Sequence, residues 1–345
     1  MRMRIRNFAR PLLIAGVIAG LIVGASPVAA QVTPPTPPTP PSPPASVATP
    51  PRPPRPPRAP RAWSGADGVA RIDTTVPFSA DGTVELSLVA GTMKLSTWNQ
   101  NKVRVVASTS GPPSLQFDAS SSHLSLEQAR NGSRGDRDGV GSATYNVTVP
   151  TGSRATLSAV SGSIDASGIR GRLEVSTVSG SVNVRDVGSG LSVEGVSGDI
   201  TVANVVGELH VENVSGRVSA TGVGGSASVE TVSGAITLNR VAGSGIHATS
   251  VSGSLDFAGP AGASARYNFE THSGRTNLRI ASNANTAIRV ETFSGSISND
   301  YPGAVKRRNS DDDDTSSVDY MIGQGQGRLR VETFSGSVHI SQGNP

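Results

Sequence analysis

Residues 178–198 read Val178-Ser-Gly180-Ser-Val182-Asn-Val184-Arg-Asp-Val187-Gly-Ser-Gly-Leu191-Ser-Val193-Glu194-Gly-Val196-Ser-Gly198. The stretch ends on the Val-Ser-Gly with which it began, after an interval of 18 residues. The same tripeptide stands at Val160, Val214 and Val232 in unbroken phase, then with drifting spacing at Val251, His272, Phe293 and Phe334, where His or Phe replaces the valine in the last three. A fixed period of this size is the signature of a repeat architecture in which each unit packs on its neighbours.

Other columns keep the register. Ile164, Val182, Ile200, Val218 and Ile236 form one, and Ala166, Val184, Val202, Ala220 and Leu238 form the next, two residues on. Leu173, Leu191, Leu209 and Ala227 pair in the same way with Val175, Val193, Val211 and Val229. A spacing of two is the strand period, so each pair points to one face. Midway between the tripeptides, Ile169, Val187, Val205, Val223 and Val241 precede a second glycine-rich corner. Each rung is therefore two short strands and two corners with about six inward apolar side chains, and the residues that define the repeat include Val178, Gly180, Val182, Val196, Gly198, Ile200, Val214, Gly216 and Val218.

Helical rungs do not fit, because β-branched residues dominate and interior glycines cost a helix about 1 kcal/mol each. Proline is absent between Thr151 and Gly259, as expected where every N–H donates to a neighbouring rung. The fold class is all-β, a β-solenoid of rungs of about 18 residues with an N-terminal β cap.

The rest of the chain is placed around that array. Residues 1–30, an Arg-rich start followed by an apolar run and Val28-Ala29-Ala30, read as a secretory signal peptide. The run of about 15 residues is short for the roughly 20 that span a bilayer, so after cleavage no integral membrane segment is expected. Residues 31–62 hold 15 of the 24 prolines and read as an extended linker. Residues 63–155, with alternating pairs such as Val84, Leu86 and Leu88, read as an irregular β region that caps the stack. The repeats fill 156–300. Residues 301–327, with Asp311 to Asp314, read as a mobile acidic loop insertion, and 328–345 as the last rung and C-terminus.

Charge and composition exclude several functions. Eight of the thirty basic residues lie before residue 62, where no acid occurs, so residues 63–345 carry 22 basic against 26 acidic groups, a net charge of −4. The overall +4 is thus no nucleic-acid footprint. With no cysteine there is no disulfide, thiol nucleophile or thiolate metal site. Asp165, Asp186, Asp199 and Asp256 occupy non-equivalent rung positions and name no acid/base pair. The serines at 161, 179, 197, 215 and 233 sit before turn glycines, where hydroxyl-to-backbone bonding is ordinary, and no base recurs beside them. His123, His210, His247, His272 and His339 share no rung position. Arg134-Gly135-Asp136 matches an integrin-read tripeptide, a match short enough to arise by accident.

One polar column recurs: Glu194, Glu212 and Glu230, then Glu270, Glu291 and Glu332, each immediately after the second inward residue of a strand. Stacked carboxylates keep an outer face soluble and discourage lateral sheet pairing. As an alternative, Glu194, Glu212 and Glu230 would form a cation ladder.

The signal peptide, the stretch Gly91-Thr-Met-Lys-Leu-Ser-Thr-Trp98-Asn-Gln-Asn-Lys-Val-Arg-Val105, and the Val-Ser-Gly and Glu-Thr-Phe-Ser-Gly units together resemble domain of unknown function 4097. That family comprises exported bacterial β-strand-repeat proteins often labelled as adhesins. The resemblance spans about residues 70–342. It implies a β-solenoid exported to the periplasm, cell surface or exterior, and it brings no catalytic residue and no cofactor. The function expected is a non-catalytic adhesin or cell-envelope scaffold, with a polysaccharide-active β-helix enzyme as the alternative. The partner stays open between a cell-surface polymer and a protein.

Overall fold

The computed structural model describes residues 63–64, 70–110, 115–128, 141–308 and 316–343. The signal peptide, the Pro-rich linker, Arg134-Gly135-Asp136 and Asp311 to Asp314 lie outside them. The described residues form twenty-two strands and no helix.

Between Leu173 and Asn239 the chain winds in regular turns. Leu173–Ser179 and Val182–Val187 make one rank, Gly190–Ser197 and Ile200–Val205 the next, followed by Glu208–Ser215 with Val218–Val223 and Ala227–Ser233 with Ile236–Asn239. Each strand lies parallel on the one that follows it by a full turn, with Val182 opposite Ile200, Ile200 opposite Val218, and Val193 opposite Val211. The ladder continues around the corners, where Gly180 N donates to Ser197 O at 3.1 Å and Gly188 N to Ile169 O at 2.8 Å. Bonds of this kind satisfy corner backbone groups that would otherwise be buried unpaired, which is what permits corners this tight.

The glycine of the tripeptide explains why the corners stack. Gly180, Gly198, Gly216, Gly234, Gly253 and Gly274 have φ between 119° and 155°, a conformation L side chains rarely adopt. A Cβ on any of them would fall well inside contact with the carbonyl oxygen of the equivalent glycine one rank away. At the opposite corner a second column, Gly168, Asp186, Asn204, Gly222 and Arg240, holds the left-handed region with φ between 51° and 81°. Gly, Asp and Asn tolerate that conformation, and Asn204 Nδ2 also donates to Asp186 Oδ1 at 2.9 Å. Arg240 has neither advantage.

Inside each rank five apolar side chains meet, as in Leu173, Val175, Val182, Val184 and Val187, all 2 % exposed or less. The sixth inward position, Leu88 and Ala159 in the earlier ranks, becomes small or polar from Thr177 onward. It runs Thr177, Gly195, Asn213, Thr231 and Ser250 in register, then Thr271, Thr333 and Thr292. The tripeptide valines at 160, 178, 196 and 214 face solvent: Val178 is 50 % exposed and Val196 48 %. Ile200 is buried, and the adjacent Thr201 is exposed.

The two ends depart from chain order. Gly327–Gln342, expected as the last rung, is inserted between Arg266–Ile280 and Thr286–Asn299 and pairs parallel with both. At the other end Thr83–Trp98 lies between Arg154–Ser167 on one side and the pair His123–Gln128 and Ala143–Pro150 on the other. Part of the region expected to cap the stack is thus an inner rank. Antiparallel strands cover the outermost ranks. Leu115–Ala119 and Lys102–Thr109 lie over the first, with Ala70–Pro77 beyond. Ser316–Ile322 lies over Thr286–Thr292, with Val305–Arg308 beyond. Residues 305–308 and 316–322, within the segment read from the sequence as a mobile loop, are therefore paired antiparallel strands, because the edge of Thr286–Thr292 supplies partners for 316–322, which in turn pairs with 305–308.

Two stability predictions follow from the corners. Gly198→Ala should cost about 3 kcal/mol or more, by forced backbone and carbonyl contact. At Gly190 an added Cβ meets only Glu208 O, at 3.8 Å, and Gly190→Ala should change stability by no more than about 0.5 kcal/mol. Urea unfolding of both variants checks the pair, and equal midpoints would contradict the stacking argument. Arg240→Asn should stabilise the fold by about 1 kcal/mol through relief of the left-handed strain, measurable in the same assay.

Candidate functional site

The outer faces inherit the register of the core, so outward side chains also fall in columns. Glu194, Glu212 and Glu230 stand opposite one another on successive strands. Thr249 interrupts the column, and Glu270, Glu332 and Glu291 resume it on the last three ranks. The first group is lightly partnered, with His210 Nε2 and Glu212 Oε1 3.0 Å apart. Among the described residues no group of three or more His, Asp or Glu side chains could hold a metal ion.

The aspartates singled out from the sequence serve the stack. Asn183 donates to Asp165 at 3.1 Å, Asn277 to Asp256 at 2.7 Å, and the Arg217 N–H to Asp199 at 2.9 Å. With the Asn204–Asp186 bond, each of the four acids is tied to a residue one rank away. They are not brought together. The histidines stay dispersed as well, although His272 stacks on Phe334 and Phe334 on Phe293, with ring centroids 4.8 and 4.9 Å apart.

The densest polar cluster lies where the inserted strand enters. Arg330 pairs with Glu332 and, at 3.0 Å, with Glu291. Arg289 pairs with Glu291 at 3.2 Å and Asp319 at 3.4 Å. Asn268 donates to Glu270 at 2.6 Å. Burial raises the pKa of the Glu332 carboxyl above its ordinary range; Arg330 opposes the shift, while Glu270 and Glu291 add to it. Beside this cluster a groove of about 690 Å3 is lined by Arg266, Asn268, Arg289, Asp319, Arg328 and Arg330, among others. The sequence gives no hint of this grouping, because its arginines come from three segments that become neighbours only through the insertion of Gly327–Gln342.

The family model for Toastrack DUF4097 matches residues 74–237 and 173–341, and the chain belongs to that family. Solved structures that match include a candidate adhesin from Bacteroides fragilis, 12 % identical, covering 78 % of this chain and 96 % of its own at a TM-score of 0.35. A candidate cell adhesion protein from Clostridium sporogenes is 12 % identical, covering 79 % of this chain and all of its own at a TM-score of 0.17. A candidate adhesin from Parabacteroides merdae is 9 % identical, covering 80 % and 97 % at a TM-score of 0.27. No curated protein matches the sequence. Among the described residues no helix is long and apolar enough to cross a membrane.

The shifted carboxyl yields a pH prediction. An acid whose folded pKa lies above its unfolded value binds its proton more tightly in the native state. Its ionised form therefore weakens the fold at neutral pH, and that penalty is relieved as pH falls through the raised value. Glu332→Gln should raise the neutral-pH unfolding midpoint and reduce the gain that the wild type shows on mild acidification. Parallel pH profiles for the two proteins would refute this.

Proposed function

We propose that this chain is an exported, non-catalytic β-solenoid of about 18-residue rungs that presents its stacked faces at the cell envelope as an adhesin or scaffold. The observation that carries the reading is the columnar outer surface. Outward positions stay in register from rank to rank, and Asp165, Asp186, Asp199 and Asp256 are each bonded to a residue one rank away. A surface of this kind suits repeated weak contacts along an extended partner, whose combined strength exceeds that of any one contact. Membership of the Toastrack family and the adhesin names of structural neighbours support the assignment. In the same reading residues 1–30 are removed on export, residues 31–62 space the folded part from its point of attachment, and antiparallel strands within residues 63–155 close the first end of the stack.

The test begins with native cells. Protein recovered from the envelope fraction should have the intact mass of a chain starting at Gln31, and a chain starting at Met1 would defeat the export assignment. Immobilised mature protein should retain polymer or protein from that fraction. Release of reducing ends from an envelope polysaccharide would overturn the non-catalytic reading.

A further inference from the structure

Arg266 and Arg328 begin neighbouring ranks and stand directly opposite each other. On its other side Arg328 faces Ala287, which in turn faces Met321. Two residues along, the next outward column is Asn268, Arg330, Arg289 and Asp319. Ala287 is the small residue in this surface, and the groove opens among the longer side chains around it. Its volume of about 690 Å3 lies in the range of ligand pockets, about 300–1,000 Å3.

The four arginines are not equivalent. Arg330 and Arg289 are held by Glu291, Glu332 and Asp319. Arg266 is exposed and bonds the carbonyl of its neighbour Ala265 at 2.9 Å. Neither Arg266 nor the exposed Arg328 forms an ion pair with an acid among the described residues. Like charges directly opposite on adjacent strands are unfavourable, so the pair is a feature that folding alone does not reward. Guanidinium forks on two facing strands of one groove match the planar geometry of a carboxylate.

We propose that this groove binds an acidic sugar residue of an anionic polysaccharide. Arg266 and Arg328 take the carboxylate, and the sugar ring lies over Ala287 against Met321. The groove is cationic at that end and carries Asp319 at the other, so it favours a ligand with one carboxylate and several hydroxyls over a densely charged phosphopolymer. Asn268 and Asp319 line the groove beside the ring. This assignment rests on the envelope-surface reading above and gives it a ligand class.

The experiment uses the full mature protein, with short oligogalacturonate, a neutral galactan oligomer and polyphosphate as probes in titration calorimetry. Oligogalacturonate should bind saturably and more weakly as salt rises, and the neutral oligomer should not bind. Arg266→Ala and Arg328→Ala should each weaken binding by about tenfold or more, with unfolding midpoints equal to or above wild type, and Arg328→Lys should not restore it. Arg185→Ala, on the other strand of a rank, should bind as wild type does. Failure to bind oligogalacturonate, equal binding by the Arg266→Ala/Arg328→Ala double variant, or preference for polyphosphate would overturn the proposal. If the double variant is retained on the envelope fraction as well as wild type, the groove assignment fails and the surface reading stands. If wild type is not retained at all, the surface reading fails with it.

Discussion

The architecture depends on a close approach of backbone to backbone at one corner. In each rank the tripeptide glycine sits beneath the carbonyl of its counterpart, and no methyl group fits between them. Parallel strands are about 4.8 Å apart, so a corner can stack at the strand spacing only if its widest point is no wider than the backbone. The requirement extends beyond the regular repeats. Gly91, Gly162, Gly295 and Gly336 occupy the same column as Gly180 and Gly198, and Gly91 closes against Ala143 at the first rank. Once these corners are aligned, the strands on either side have no freedom of register, and the apolar and polar columns follow from that single alignment.

A second consequence concerns the interior. The last inward position before the corner takes Thr, Ser, Gly or Asn from Thr177 onward, whereas the earlier ranks place Leu88 and Ala159 there. Gly195 and Asn213 show the mutual dependence: a Cβ at 195 would lie 2.7 Å from Asn213 Oδ1. Wider positions take larger groups, and Phe257 and Phe269 pack 5.2 Å apart between centroids where the alanine of the column, Ala248, leaves room.

The middle of the stack was legible because its columns recur at a constant interval, which fixes both neighbours and facing. Ile200 against Thr201 needed no more than the two-residue strand period. The threonine column was not separated from the apolar ones, since Thr177 and Val178 are adjacent and only the corner geometry turns the valine outward and the threonine in. The ends were less readable for a different reason. Rank order there is set by which edges remain unpaired, and a linear interval carries no information about an insertion. The arginine groove shares that origin. Arg266 and Arg328 are 62 positions apart in the chain and directly opposite in the fold.

The inner placement of Gly327–Gln342 also bears on how such a chain is completed. A segment that enters between two ranks joins the stack only after both of its neighbours have been made, and those neighbours precede it in the sequence. The final described strand is the keystone of that end, and a product cut short before Gly327 would lack an inner course rather than an outer one. Such a product would present two mismatched parallel edges, the kind of surface that cells remove by proteolysis. The integrity of that end thus depends on a strand that is remote in sequence from one neighbour and central in the stack.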